Sequence, residues 1–206
     1  MKQLSTYITE GLKIGKKYRQ NKAYSYHPKD KEELREIIEQ LLRERGKDAD
    51  LNDIDVSDIT NMSYLFYKLN PHNIGISEWD VNNVTNMDGM FWNCINFNSD
   101  LSEWDVSNVK DMEYMFCYCE HFNGDLSDWD VSNVTNMQSM FFNCQKFNSD
   151  LSGWDVSNVI NMQSMFYNCQ NFNSDISDWD VRKVKFMNYM FDNCNRLKNI
   201  PLWYKK

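Results

Sequence analysis

Tryptophan returns every 25 residues, at Trp79, Trp104, Trp129, Trp154 and Trp179, inside a phrase that the chain rewrites each time. At residues 151–166 the phrase is Leu-Ser-Gly-Trp-Asp-Val-Ser-Asn-Val-Ile-Asn-Met-Gln-Ser-Met-Phe. A fixed period of this size excludes one closed core. Each repeat is one coil that buries its apolar side chains against its neighbours. Counted 1 to 25, the coils start at Leu51, Ile76, Leu101, Leu126, Leu151 and Ile176.

Apolar residues recur at coil positions 1, 4, 6, 9, 12, 15, 16, 19 and 22. The opening Leu-x-x-Trp-x-Val has leucine-rich-repeat spacing, which predicts a short strand. Met137, Met140, Phe141 and Cys144 then fall at i, i+3, i+4 and i+7, the face of a short helix with Asn136 as its N-cap. The expected fold is therefore α/β: a right-handed, leucine-rich-repeat-like solenoid of six coils with a parallel sheet and an N-terminal helical cap. Eleven of the 12 methionines lie at positions 12 and 15, where they read as filler between Phe layers. Cys94, Cys119, Cys144, Cys169 and Cys194 share position 19. Neighbouring coils bring such thiols within bridging range, yet five equivalent thiols read better as a small-hydrophobe ladder.

Two domains are expected. Residues 1–50 form a helical leader and cap, and residues 51–206 form the coils with a capping tail. Asp30 and Glu33 frame a helix start, Leu34, Ile37, Ile38, Leu41 and Leu42 make one apolar face, and Gly46 stops it. That face is expected to cover coil one. Leu4, Tyr7, Ile8 and Leu12 suggest a shorter amphipathic segment, with a basic linker at residues 16–22. Ile200, Pro201, Leu202, Trp203 and Tyr204 begin a seventh strand and stop.

The net charge is −8. Residues 1–50 carry 12 Lys/Arg against 9 Asp/Glu, and residues 51–206 carry 10 against 21. An acidic stack of this kind argues against nucleic acid and favours a basic protein partner. No apolar run is long enough to span a membrane, and the first residues lack a secretory signal, so the expected location is cytoplasmic. The chain shows no Ser-His-Asp set, no Gly-rich phosphate loop and no metal-ligand spacing, so no catalysis, cofactor or metal is expected. The pattern leaves the oligomeric state open.

Two columns are candidate contact sites. Asp80, Asp105, Asp130, Asp155 and Asp180 occupy position 5, joined by Glu78, Glu103 and Asp128 at position 3. They form either a field for cations and Lys/Arg-rich partners or a set of carboxylates that accept N–H groups of their own turns. Trp92, Phe142 and Tyr167, at position 17, make a stripe that either anchors a partner or is half-buried between helices.

The phrase Leu-Ser-x-Trp-Asp-Val-Ser-Asn-Val-Thr-Asn-Met-x-x-Met-Phe-x-x-Cys-x-x-Phe-Asn-x-Asp at residues 126–150 resembles the BspA-like leucine-rich-repeat family of bacterial surface proteins, whose repeats also occur in phage and large-virus proteins. The resemblance spans about three quarters of the chain and implies non-enzymatic binding or adhesion. The expected function is thus a protein–protein interaction scaffold. The alternative is a virion or cell-surface component that binds a receptor or glycan through Trp92, Phe142 and Tyr167.

Overall fold

The computed structural model describes residues 23–205. The amphipathic segment expected around Leu4–Leu12 and the basic linker at residues 16–22 lie outside the described residues. Among the described residues there is one helix, α1 (Lys31–Arg45). Asp30 caps it by accepting the Glu33 N–H at 2.9 Å, Glu33 returns a bond to the Lys29 N–H at 2.9 Å, and Gly46 ends it at φ 87°. Leu34, Ile38, Leu41 and Leu42 are buried and Ile37 is partly buried, all in one cluster with Leu51, Ile54, Ile59, Met62 and Phe66 of coil one.

The coils stack in a 25-residue register. Position 11 forms a run of single parallel bridges, from Asn61 through Asn86, Asp111, Asn136 and Asn161 to Phe186. These lone bridges overturn the expected α/β leucine-rich-repeat-like solenoid. One residue per coil pairs in this run, so no parallel sheet forms among the described residues, and no coil contains a helix.

The reason lies in the turns. Within each coil the backbone closes a succession of i→i+3 hydrogen bonds: in coil four Trp129 N–H bonds Leu126 O, Val134 bonds Val131, Met140 bonds Met137, Phe142 bonds Ser139, and Cys144 bonds Phe141. Position 14 (Tyr64, Gly89, Tyr114, Ser139, Ser164, Tyr189) and position 18 (Lys68, Asn93, Tyr118, Asn143, Asn168, Asn193) all have positive φ. A left-handed residue every four positions cannot continue a helix. It does leave apolar side chains at i, i+3, i+4 and i+7 on the inside, which is the spacing a helix would show. Leu-x-x-Trp-x-Val likewise points inward from successive turns rather than from a pleated strand. Asn136 does not cap a helix; its Oδ1 accepts the Gln138 N–H at 3.2 Å and opens a turn.

Between coils, N–H groups at positions 12, 14, 16 and 18 donate to carbonyls of the following coil, as in Met137→Asn161, Ser139→Gln163, Phe141→Met165 and Asn143→Tyr167 at 2.8–2.9 Å. The core is a set of columns. Phe rings at position 16 stack at 5.1–5.9 Å between centroids. Each buried Trp indole N–H donates at 2.9–3.0 Å to the position 1 carbonyl of the preceding coil, which meets the polar requirement of a buried indole. The position 19 thiols do the same to the Phe carbonyls of position 16, at 2.9–3.4 Å. All six cysteines are buried and unbridged, and burial pushes the Cys94 thiol up to about 12.

Candidate interaction surface

The position 5 carboxylates serve the turns. Asp105 Oδ1 accepts the Ser107 N–H at 3.1 Å and its hydroxyl at 2.6 Å. Asp130, Asp155 and Asp80 accept the N–H two residues on at 3.0, 3.0 and 3.3 Å. Asp180 accepts the Arg182 N–H at 3.2 Å and pairs with its guanidinium at 2.6 Å, which holds the carboxyl down at about 2. Asp155 is held below the ordinary carboxylate range mainly by the Ser157 hydroxyl and N–H. A second set, Asp100, Asp125, Asp150 and Asp175, makes the same turns with Ser102, Ser127, Ser152 and Ser177 at 3.0–3.1 Å. Each such bond relieves the like-charge column by fixing one carboxylate oxygen on a backbone N–H. Glu78, Glu103 and Asp128 stand exposed beside this column.

Position 17 belongs to a different and richer surface. Trp92 is half-buried, stacked on Tyr114 at 5.2 Å and tilted against Tyr67 at 5.3 Å and Tyr64 at 5.9 Å. Phe142 stacks on Tyr167 at 4.7 Å and meets Tyr118 at 5.3 Å. Buried Cys117 occupies the same column between Trp92 and Phe142. Tyr64, Tyr114 and Tyr118 were not among the expected contacts, because they meet position 17 residues of adjacent coils, which a single coil's pattern does not show. The stacking of the coils sets the three positions side by side. Gly89 opens this arrangement: at φ 56° an added Cβ would lie 2.6 Å from the Tyr64 ring.

Carboxylates border the rings. Asp88 hydrogen bonds the Tyr64 hydroxyl, while its buried Oδ1 has no partner among the described residues. Burial, followed by the charges of Asp111 and Glu113, pushes the Asp88 carboxyl up to about 6 despite the Tyr64 bond. Burial and the Asp88 charge push Tyr64 up to about 12. Gln138 Nε2 bridges Glu113 at 2.8 Å and the Tyr114 hydroxyl at 2.6 Å. Position 13 (Asp88, Glu113, Gln138) and position 14 were the legible signals of this patch. Position 13 is acidic in coils two and three and position 14 is Tyr in coils one and three, while coils four and five have Gln and Ser there.

His27, ahead of the coils, faces Asp55 at 3.4 Å, His72 of coil one faces Asp48 at 3.8 Å and His121 of coil three contacts Asn96 at 3.0 Å. Among the described residues no group of three or more His, Cys, Asp or Glu side chains could hold a metal ion. No helix there is long and apolar enough to cross a membrane.

Stacked 25-residue coils closed by turns, with a helix ahead of coil one, define a repeat protein held by side-chain columns and by backbone bonds between coils. Residues 34–138 and 124–205 match the family DUF285, described as Mycoplasma protein of unknown function, and the chain belongs to that family. No curated protein and no solved structure matches it.

Proposed function

We propose that the protein is a non-enzymatic binding scaffold that takes a Lys/Arg-rich protein segment on the aromatic and acidic face of coils one to three. The observation that carries this reading is Asp88: a part-buried carboxyl with an unpartnered oxygen, beside Asp111, Glu113 and the rings of Tyr64, Trp92 and Tyr114. A guanidinium or ammonium group beside this site would offset the charges of Asp88, Asp111 and Glu113 and lie against ring faces, two attractions that act on the same cation. Half-buried Trp and Tyr are also the side chains that concentrate binding energy at interfaces. The position 5 aspartates contribute long-range attraction, while their local bonds hold the turns. Six buried, unbridged thiols suit a reducing compartment, in keeping with a cytoplasmic protein.

The test is a fluorescein-labelled Lys/Arg-rich peptide titrated by anisotropy at two salt concentrations. Binding should weaken with salt, and Trp92→Ala should lower affinity by about tenfold or more. Asp88→Asn should flatten the salt dependence. Absence of binding, or equal binding by all three proteins, overturns the reading. Adhesion to a receptor or glycan on a virion or cell surface would use Trp92, Phe142 and Tyr167 without the carboxylates. Salt-independent capture of glycans by the same rings would favour that alternative.

A further inference from the structure

The two ends of the stack are finished differently, and the unfinished end specifies what fits it. In coils two to five the N–H groups at positions 12, 14, 16 and 18 all donate to the coil that follows. In coil six the corresponding donors are Met187, Tyr189, Phe191 and Asn193, and they have no backbone acceptor among the described residues. The apolar row that is sealed elsewhere also opens here. Val159 and Met162 are 0% exposed, whereas their equivalents Val184 and Met187 are partly exposed. Phe186 and Tyr189 reach 51% and 60% exposure. The tail covers only part of this face, with Trp203 over Trp179 at 6.4 Å and Tyr204 against Phe191 at 5.0 Å.

A cover for positions 12 to 18 must supply acceptors, because that stretch of the open face is a row of donors, with the position 10 carbonyl of Lys185 beside it. Anionic character is also required. Lys183 and Lys185 stand on coil six where the preceding coil has Asn158 and Ile160, Arg182 beside them is paired with Asp180, and Lys198 and Arg196 lie beyond. Two open ends are mismatched face to face, since four donors would face four donors and Lys183 and Lys185 would face their own copies. A contact between copies is therefore better matched between unlike ends.

The opposite end of the stack has the complementary chemistry. Three cations of α1 turn inward: Lys31 to the Ser63 hydroxyl at 3.2 Å, Arg35 to the carbonyls of Tyr64, Leu65 and Tyr67, and Arg45 to Asp53 at 2.9 Å. Glu32 and Glu36 are left exposed on the outer face, outnumbering the exposed Arg43, with half-buried Ile37 beside them as an apolar contact. Carboxylates there can accept the N–H groups that coil six leaves open.

We propose that copies of this chain associate head to tail, the acidic outer face of α1 in one copy seating on the open face of coil six in the next. Such a heterologous contact closes into a ring or runs on as a filament. The attraction is partly electrostatic, so it weakens as salt rises.

Sedimentation velocity over a concentration series at low salt tests this. The full chain should show a sedimentation coefficient that rises with concentration and falls back on adding salt. Lys183→Glu with Lys185→Glu, and separately Glu32→Lys with Glu36→Lys, should each weaken association by about tenfold or more. These side chains lie outside the core, so melting temperatures should stay unchanged and report intact folding. An equimolar mixture of the two double variants restores both matched contacts and should associate again. A monomer at every concentration, association indifferent to both double variants, or a mixture that stays monomeric overturns the proposal.

Discussion

Coil one and coil six have nearly the same backbone path and opposite fates. Coil one presents carbonyls outward, and α1 covers them: the Arg35 guanidinium donates to Tyr64 O at 2.9 Å, Leu65 O at 2.7 Å and Tyr67 O at 3.0 Å. At Leu65 and Tyr67 this one side chain takes the place of two N–H donors that an earlier coil would have supplied. Coil six presents N–H groups outward and receives only Trp203, whose indole N–H bonds Ile176 O at 3.1 Å, and Tyr204. The row at positions 12, 14, 16 and 18 runs one way, even though position 10 N–H groups donate back to the preceding coil, so along that row the two ends differ chemically. One kind of cap cannot serve both.

The largest effect should come from removing the cap at coil one. Deleting residues 1–50 exposes Leu51, Ile54, Met62 and Leu65 together with the carbonyl row, and burial of each such side chain contributes about 1.5–3 kcal/mol. The truncated chain should aggregate or lose cooperative unfolding in urea, followed by circular dichroism. A monomer with an unchanged midpoint would show that α1 is no cap and erase the contrast between the ends.

Arg35→Met keeps most of the packing of the stem and removes the three carbonyl bonds. The expected loss is about 2–3 kcal/mol, from charged-donor hydrogen bonds taken away from part-buried acceptors. Trp203→Ala should cost less, about 1–2 kcal/mol, because its ring is only half-buried. Hydrogen exchange should place that loss in coil six, with coil three protected as before. Uniform loss of protection would mean that the stack unfolds as one unit and the ends do not act separately.

The smallest effect concerns pH near the capped end. Burial raises Asp88 to about 6, above its ordinary value of 3.8. A raised carboxyl favours the folded state fully below pH 3.8, and that contribution is lost as pH rises through 6. Asp88→Asn should therefore raise the melting temperature at pH 7 by about 2 °C and leave it nearly unchanged at pH 4, as scanning calorimetry would show. Equal shifts at both pH values would mean that charge at Asp88 plays no part.

Burial was legible throughout. The inward set at positions 1, 4, 6, 9, 12, 15, 16, 19 and 22 packs as the columns of coils two to five, and Leu34, Ile38, Leu41 and Leu42 do cover coil one. Local conformation was not. Ser139, Tyr114 and Tyr64 hold positive φ at position 14, although none of these residue types favours it. The site shares that history. Phe142 and Tyr167 do stack, but Trp92 gains Tyr64 and Tyr114 as neighbours from the coils on either side, through the stacking of position 14 beside position 17. The aspartates at position 5 were open to two readings, and their bonds to the N–H two residues on account for their local role.

By itself the sequence determined the period, the register and which side chains face inward, because a 25-residue repeat of apolar positions stacks like upon like whatever the backbone does between them. The tertiary structure decided the rest. Each N–H at positions 12, 14, 16 and 18 could close a helix within its own coil or bond the next coil. The Phe, Trp and Cys columns hold the coils close enough that the second choice prevails. A helix and a run of left-handed turns display the same apolar spacing, and only the neighbouring coil distinguishes them.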